Sequence, residues 1–276
     1  MTEKRAAGHM DNAWMQVDET GDPGFFIRFL DASRVRALEF ARAQPEVAFA
    51  HLALKPGLSV LDCGCGTGDM LALIARQVAP GKTQGGDLSE TMIREARKRA
   101  AAGPENLSFE AMNAQELTFP DERFDRVMAT QLLVHVPDPR RALREMCRVT
   151  ARGGRVALSD MDWDSLVFGC TDKALGRRFA RLFCDGIRNG LVVREYAGWL
   201  RAEGFTDIRT VAQPLMFDSW EFVSAWLLEP SLGHFVATGA MSQTDADALR
   251  RDLAARNDQG HFLAACTSYT VTGRRD

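Results

Sequence analysis

The stretch VLDCGCGTGD, Val60 to Asp69, constrains this chain more than any other. An apolar, β-branched run, LSVLD (58–62), reads as a buried strand. Three glycines then alternate at 64, 66 and 68, and Leu71, Ile74 and Val78 recur at helical spacing until Pro80-Gly81 ends the pattern. Strand, glycine turn and helix in that order open a parallel sheet of the kind whose ligands sit at the carboxyl ends of the strands.

The unit repeats. A short strand near 83–86 leads into DLSETMIREARKRAAAG, where Met92, Ile93, Ala96 and Ala100 make one apolar stripe and Gly103 stops it. LSFEAMNA and FDRVMATQ read as a third and a fourth strand, Asp138-Pro139 opens a helix carrying Ala142, Met146 and Val149, and GGRVALSD makes a fifth strand. The alternation predicts an α/β fold with a Rossmann-like, doubly wound sheet.

Two segments fall outside that rhythm. Phe25, Phe26, Phe29 and Leu30, followed by a second helical pattern through RVRALEFARAQPEVAFAHLAL, precede the first strand. Late in the chain, Leu175, Phe179, Leu182, Phe183 and Ile187 form a stripe, and Ser242 with Asp245 opens another over Ala246, Leu249 and Leu253. Some 45 residues separate Pro214 from Gly260, too many for a structureless loop, so a helical lid is expected there. The expected division is a helical cap at 1–54, a cofactor-binding core at 55–165, and capping helices with the last two strands at 166–276.

Composition narrows the partner. A formal net charge of −3 without a Lys/Arg block argues against nucleic acid. The basic residues of MTEKRAAGHMDNAW have no apolar region behind them, and no run is long enough to span a bilayer, so no membrane association and a cytoplasmic location are expected. The six cysteines are scattered, and Cys63-x-Cys65 is poorly spaced for zinc, so they read as buried thiols. A small-molecule partner is expected; the oligomeric state stays open, a homodimer included.

Which small molecule the glycine turn holds follows from its details. A dinucleotide fingerprint is G-x-G-x-x-G, whereas this chain has Gly64-x-Gly66-x-Gly68 with Asp62 at the strand's end. A carboxylate there opposes a pyrophosphate but serves an ammonium group. Nineteen residues past Gly68, at the end of the second strand, Asp87 can accept from two ribose hydroxyls. S-adenosylmethionine has the ammonium group and the ribose, and no phosphate.

With GGDLSETM, MNAQELTFPDERFDRVMATQLLVHVPD and LREMCRVTARGGRVALSD, the glycine turn resembles consecutive motifs of the class I S-adenosylmethionine-dependent methyltransferases. The flavour is that of the broad group that includes ubiquinone, menaquinone and many natural-product methyltransferases, and the resemblance covers about residues 55–165. It implies a seven-stranded sheet with an antiparallel last strand, and S-adenosylmethionine as cofactor. Carried over by position, Gly64, Gly66 and Gly68 line the methionine part, and Asp87, with Leu88 beside it, holds the ribose. Asn113 stands where an aspartate usually meets the adenine amino group, Ala114 offers its amide to the ring, and Gln131 meets the methionine end. Arg28, in FFIRFLD, is the candidate clamp for the cofactor carboxylate.

His135 follows the fourth strand and is the candidate catalytic base. Asp162, Trp163 and Phe25 are candidates for the acceptor pocket. Asp160, Asp162 and Asp164 alternate and would share one side of a strand, but no downstream Asn/Asp pair supports a metal, and none is expected. The expected function is methyl transfer by direct in-line displacement to the carbon, oxygen or nitrogen of a small, largely apolar metabolite, in secondary metabolism. A nicotinamide-dependent oxidoreductase and a cofactor-binding protein without catalysis remain as alternatives.

Overall fold

The computed structural model describes residues 12–44, 46, 49–217 and 219–276; the N-terminal stretch up to residue 11, read above for targeting, lies outside them. Seven strands form one sheet: β1 Val60–Cys63, β2 Thr83–Asp87, β3 Leu107–Ala111, β4 Phe124–Thr130, β5 Thr150–Phe168, β6 Phe205–Met216 and β7 Ala264–Arg275. Their order is β3-β2-β1-β4-β5-β7-β6, and β7 runs antiparallel to both of its neighbours. The expected sheet with its reversed last strand is the one observed.

Helices α1 Pro23–Ala43, α2 Asp69–Val78, α3 Glu90–Ala100, α4 Pro139–Val149, α5 Lys173–Gly186 and α6 Tyr196–Ala202 cover the two faces. The lid segment is helical as expected: α7 Trp220–Val223, a π-helical turn at Ser224–Leu228, α8 Glu229–Ala237 and α9 Gln243–Asp258. Local chemistry explains the starts. Asp138 accepts from the Arg141 amide with Pro139 in the first turn, and the Ser242 hydroxyl accepts from the Asp245 amide. The first apolar pattern and the second as far as Ala43 lie on one unbroken helix, α1; beyond it, among the described residues, Glu46 is helical and a 3-10 turn spans Ala50–Leu52.

Alternation along β1 decides what each face meets. Leu61 and Cys63 join Val127, Leu143 and Met146 on one side. Val60 faces the other side with Ala41 of α1, Leu71 and Ile74 of α2 and Ile93 of α3. Asp62, two residues after Val60, shares that second side, and β1 ends there against α1. An ionic knot ties the three helices of this side together: Arg99 of α3 bonds Asp31 of α1 and Asp69 of α2, each at 2.8 Å, and Glu95 of its own helix.

Candidate functional site

The glycine turn needs glycine for its backbone. Gly64, Gly66 and Gly68 all have φ between 56° and 75°, the left-handed region that side chains disfavour. Space adds a second constraint, different at each position. A Cβ on Gly66 would lie 3.0 Å from Leu30 Cδ1 of α1, whereas one on Gly68 would lie 2.5 Å from the Phe109 ring of β3. The side-chain direction at Gly68 therefore meets packed core at the start of α2, and Gly68 is not among the residues that line the cleft below.

Beyond the carboxyl ends of β1, β2 and β4 lies a cleft. Gly64, Gly66 and Asp87 line its base, with Leu88, Met112, Asn113 and Ala114 on one side and Thr130, Gln131, Leu132, His135 and Val136 on the other. Its roof comes from outside the sheet: Trp14, Met15 and Val17 of the N-terminal segment, and Phe29, Leu30 and Arg34 of α1. Eight expected residues thus come together: Gly64, Gly66, Asp87, Leu88, Asn113, Ala114, Gln131 and His135.

Asp87 links the base of the cleft to its rim. One carboxylate oxygen accepts from the Gly66 amide and the other from the Ser89 amide, each at 3.0 Å. Burial raises its pKa against those two bonds and the nearby Arg34 charge. Asp62 lies just beneath, 5% exposed. Burial pushes it to about 7, the Arg34 charge pulling down and the Asp87 charge pushing further up. The amide oxygen of Asn113 accepts from the Gln115 backbone at 3.0 Å and from its side chain at 3.4 Å.

The N-terminal segment is pinned over this site. Asp18 accepts from the Ser89 hydroxyl at 2.8 Å and from the amides of Glu90 and Thr91 at 2.7 and 3.1 Å, adding a carboxylate to the start of α3. Trp14 stacks on His135 with ring centroids 5.6 Å apart, and meets Phe26 and Phe29 edge-on. Neither residue carried a periodic signal, because the segment is 3-10 helix and turn.

Four expected positions lie elsewhere. Arg28 is 59% exposed and paired with Asp22, the residue that caps its own helix. Arg34 lines the cleft in its place. The signal was present, since Arg34 stands one turn beyond Leu30 and so shares the buried face, whereas Arg28 is two residues before it and points away. Phe25 packs against Trp226 of the π-helical turn at 4.8 Å, in the seam between α1 and the lid. Asp162 is clamped by two bonds of 2.9 Å from Arg194, which also holds Asp164. Trp163 packs on Phe183. The three alternating aspartates do share one side of β5, but there the 3-10 turn Val192–Glu195 and Tyr196, which donates its hydroxyl to Asp160, bury Asp160 and Asp162, and Asp164 stays exposed. Burial nevertheless pushes Asp160 to about 7.

Comparison with known proteins fits this geometry. Residues 54–188 match a family model described as a methyltransferase domain. The chain is 33% identical over 195 residues to the O-methyltransferase resE of Aspergillus sclerotiorum, spanning 67% of this chain and 71% of that protein. It is 42% identical over 109 residues to a demethylmenaquinone methyltransferase of Symbiobacterium thermophilum, spanning 38% of this chain and only 43% of that enzyme. Among solved structures, the YcgJ protein of Bacillus subtilis superposes with a TM-score of 0.59 at 20% identity, over 83% of this chain and 97% of that one, a likeness of fold. No helix among the described residues is long and apolar enough to cross a membrane.

Proposed function

The chain belongs to the class I S-adenosylmethionine-dependent methyltransferases, and from that premise we propose that it methylates a small, largely apolar metabolite bound between the cleft and its helical roof. The observation that carries this reading is the division of the cleft. Its acidic and glycine-rich base suits the cofactor, and its roof, apart from Arg34, is the apolar set Trp14, Met15, Val17, Phe29 and Leu30, which suits an apolar acceptor.

The residues present fit the cofactor. A carboxylate has about four lone-pair sites, and Asp87 uses two on Gly66 and Ser89, which leaves two for the ribose hydroxyls. Asn113 receives the adenine amino group on the oxygen that now holds the 3.4 Å bond from Gln115, the weaker of its two. In this reading Arg34, which lines the cleft, takes the methionine carboxylate in place of Arg28, and Asp62, buried beneath the cleft, serves its ammonium group.

The bound cofactor supplies a methyl group on a sulfonium, already electrophilic. The protein's part is therefore alignment and exclusion of water. Gly64 and Gly66 let the backbone approach, Leu132 and Phe29 exclude water, and His135 stands where it can take a proton from an acceptor hydroxyl or amine. The test is incubation with S-adenosylmethionine labelled in its methyl group and a panel of phenolic, quinol and polyketide-like acceptors. With small amines, carboxylates and total protein and RNA added to the panel, label in an apolar acceptor supports the reading, and label only in the charged or macromolecular acceptors refutes it.

A further inference from the structure

The wall of the cleft opposite Asn113 is a loop, residues 131–136, and it is held in an unusual conformation. Gln131 has φ of 54°, left-handed for a residue with a side chain, and its amide is tied to the Ser159 carbonyl at 2.7 Å. Such a conformation persists only where the surroundings over-determine it. From the β5 side the Asp160 carboxylate meets the Leu133 and Val134 amides, and three of the loop's carbonyls are held by one residue. The side-chain nitrogen of Asn189 donates to the Leu133 carbonyl at 3.0 Å and to the Val136 carbonyl at 2.8 Å, while its backbone amide donates to the Val134 carbonyl at 3.2 Å.

We propose that Asn189 is a positioning residue for the reaction: by holding three carbonyls of this loop it fixes Gln131 and Leu132 against the cofactor and His135 toward the acceptor. The proposal rests on the cofactor reading of the cleft. Residue type supports it, because an amide is the short side chain that offers two donors from one nitrogen, where aspartate offers none and serine one. Location supports it too. Asn189 lies far along the chain, in the turn after α5, and that turn is itself tied down by Val192 donating to the Asn189 carbonyl at 2.9 Å and Trp163 donating to the Gly190 carbonyl at 3.0 Å. The loop in turn touches the glycine turn: Leu132 Cδ1 is only 2.9 Å from where a Cβ on Gly64 would stand. Release of the loop would loosen the methionine end of the site and leave the Asp87 and Asn113 end in place.

That asymmetry supplies the test. S-adenosylhomocysteine reaches both ends, and adenosine only the second. Calorimetric titration of the whole chain and of its Asn189→Ala and Asn189→Ser variants with both ligands should show roughly tenfold weaker S-adenosylhomocysteine binding in the alanine variant, less in the serine variant, and adenosine binding within about twofold in both. Amide hydrogen exchange should quicken over 131–136 and stay unchanged in β4. Equal loss for both ligands, or no loss for either, overturns the proposal. If Asn189→Ala does not fold, the same comparison on Asn189→Ser decides. A wild-type chain that binds neither ligand overturns the cofactor reading itself, which separates that failure from a failure of Asn189.

Discussion

The carboxylate of Asp87 accepts a hydrogen bond from the Gly66 amide at 3.0 Å, so the end of β2 and the glycine turn after β1 form one unit. Asp87→Ala therefore removes a ligand contact and a brace together. Cofactor affinity should fall by about 1.5–3 kcal/mol, the range for a hydrogen bond to a charged group, as read by calorimetry. Unchanged affinity would show that the ribose is held elsewhere.

The two arginines of α1 should separate cleanly. Arg34→Ala should weaken S-adenosylhomocysteine by about 1.5–3 kcal/mol and spare adenosine, which has no carboxylate. Arg28→Ala, at an exposed pair with Asp22, should leave both affinities unchanged. The opposite pattern would restore Arg28 as the clamp.

Asp62 predicts a pH dependence. Its folded pKa of about 7 lies above the ordinary 3.8, so the folded chain keeps a proton that the unfolded chain has lost between those values. Stability without cofactor should then fall as pH rises from 4 to 7, by a few kcal/mol, and level off above. Asp160, also raised to about 7, contributes a slope of the same sign. Asp62→Asn should remove its own share, measured by denaturant unfolding across that range; an unaltered slope would show that Asp62 is ionised throughout.

The glycines should differ in kind. Gly68→Ala places a methyl group 2.5 Å from the Phe109 ring at a left-handed φ, and should cost roughly 1–3 kcal/mol of stability. Gly66→Ala shares the left-handed strain but meets only the flexible end of Leu30, so it should cost less stability and weaken cofactor binding as well. Thermal unfolding alongside titration distinguishes the two.

His135→Ala should leave cofactor affinity nearly intact and slow methyl transfer by about 10²–10⁴-fold where the acceptor must lose a proton. Undiminished transfer would reduce His135 to a stacking partner of Trp14.

What could be read from the sequence was local. The strand, the glycine turn, the acidic residue at the end of β2 and the caps at Asp138 and Ser242 each depend on neighbours within a few positions, and periodicity exposes them. What escaped depends on contacts across the fold. Spacing put three glycines in a turn, yet only the approach of Phe109 from β3 shows that the side-chain direction at Gly68 meets core. Alternation put Asp160, Asp162 and Asp164 on one side of β5, yet nothing in it foretold that Arg194 and Tyr196 would bond to them. Trp14 and Asp18 sit in a segment without regular period, and their partners His135 and Ser89 are more than 70 positions away.

The most direct measurement is calorimetric titration of the purified chain with S-adenosylmethionine, S-adenosylhomocysteine and NADH side by side. The account predicts that the first two bind at a single site and that NADH does not. Binding of NADH alone would contradict the reading of the glycine turn and every assignment built on it.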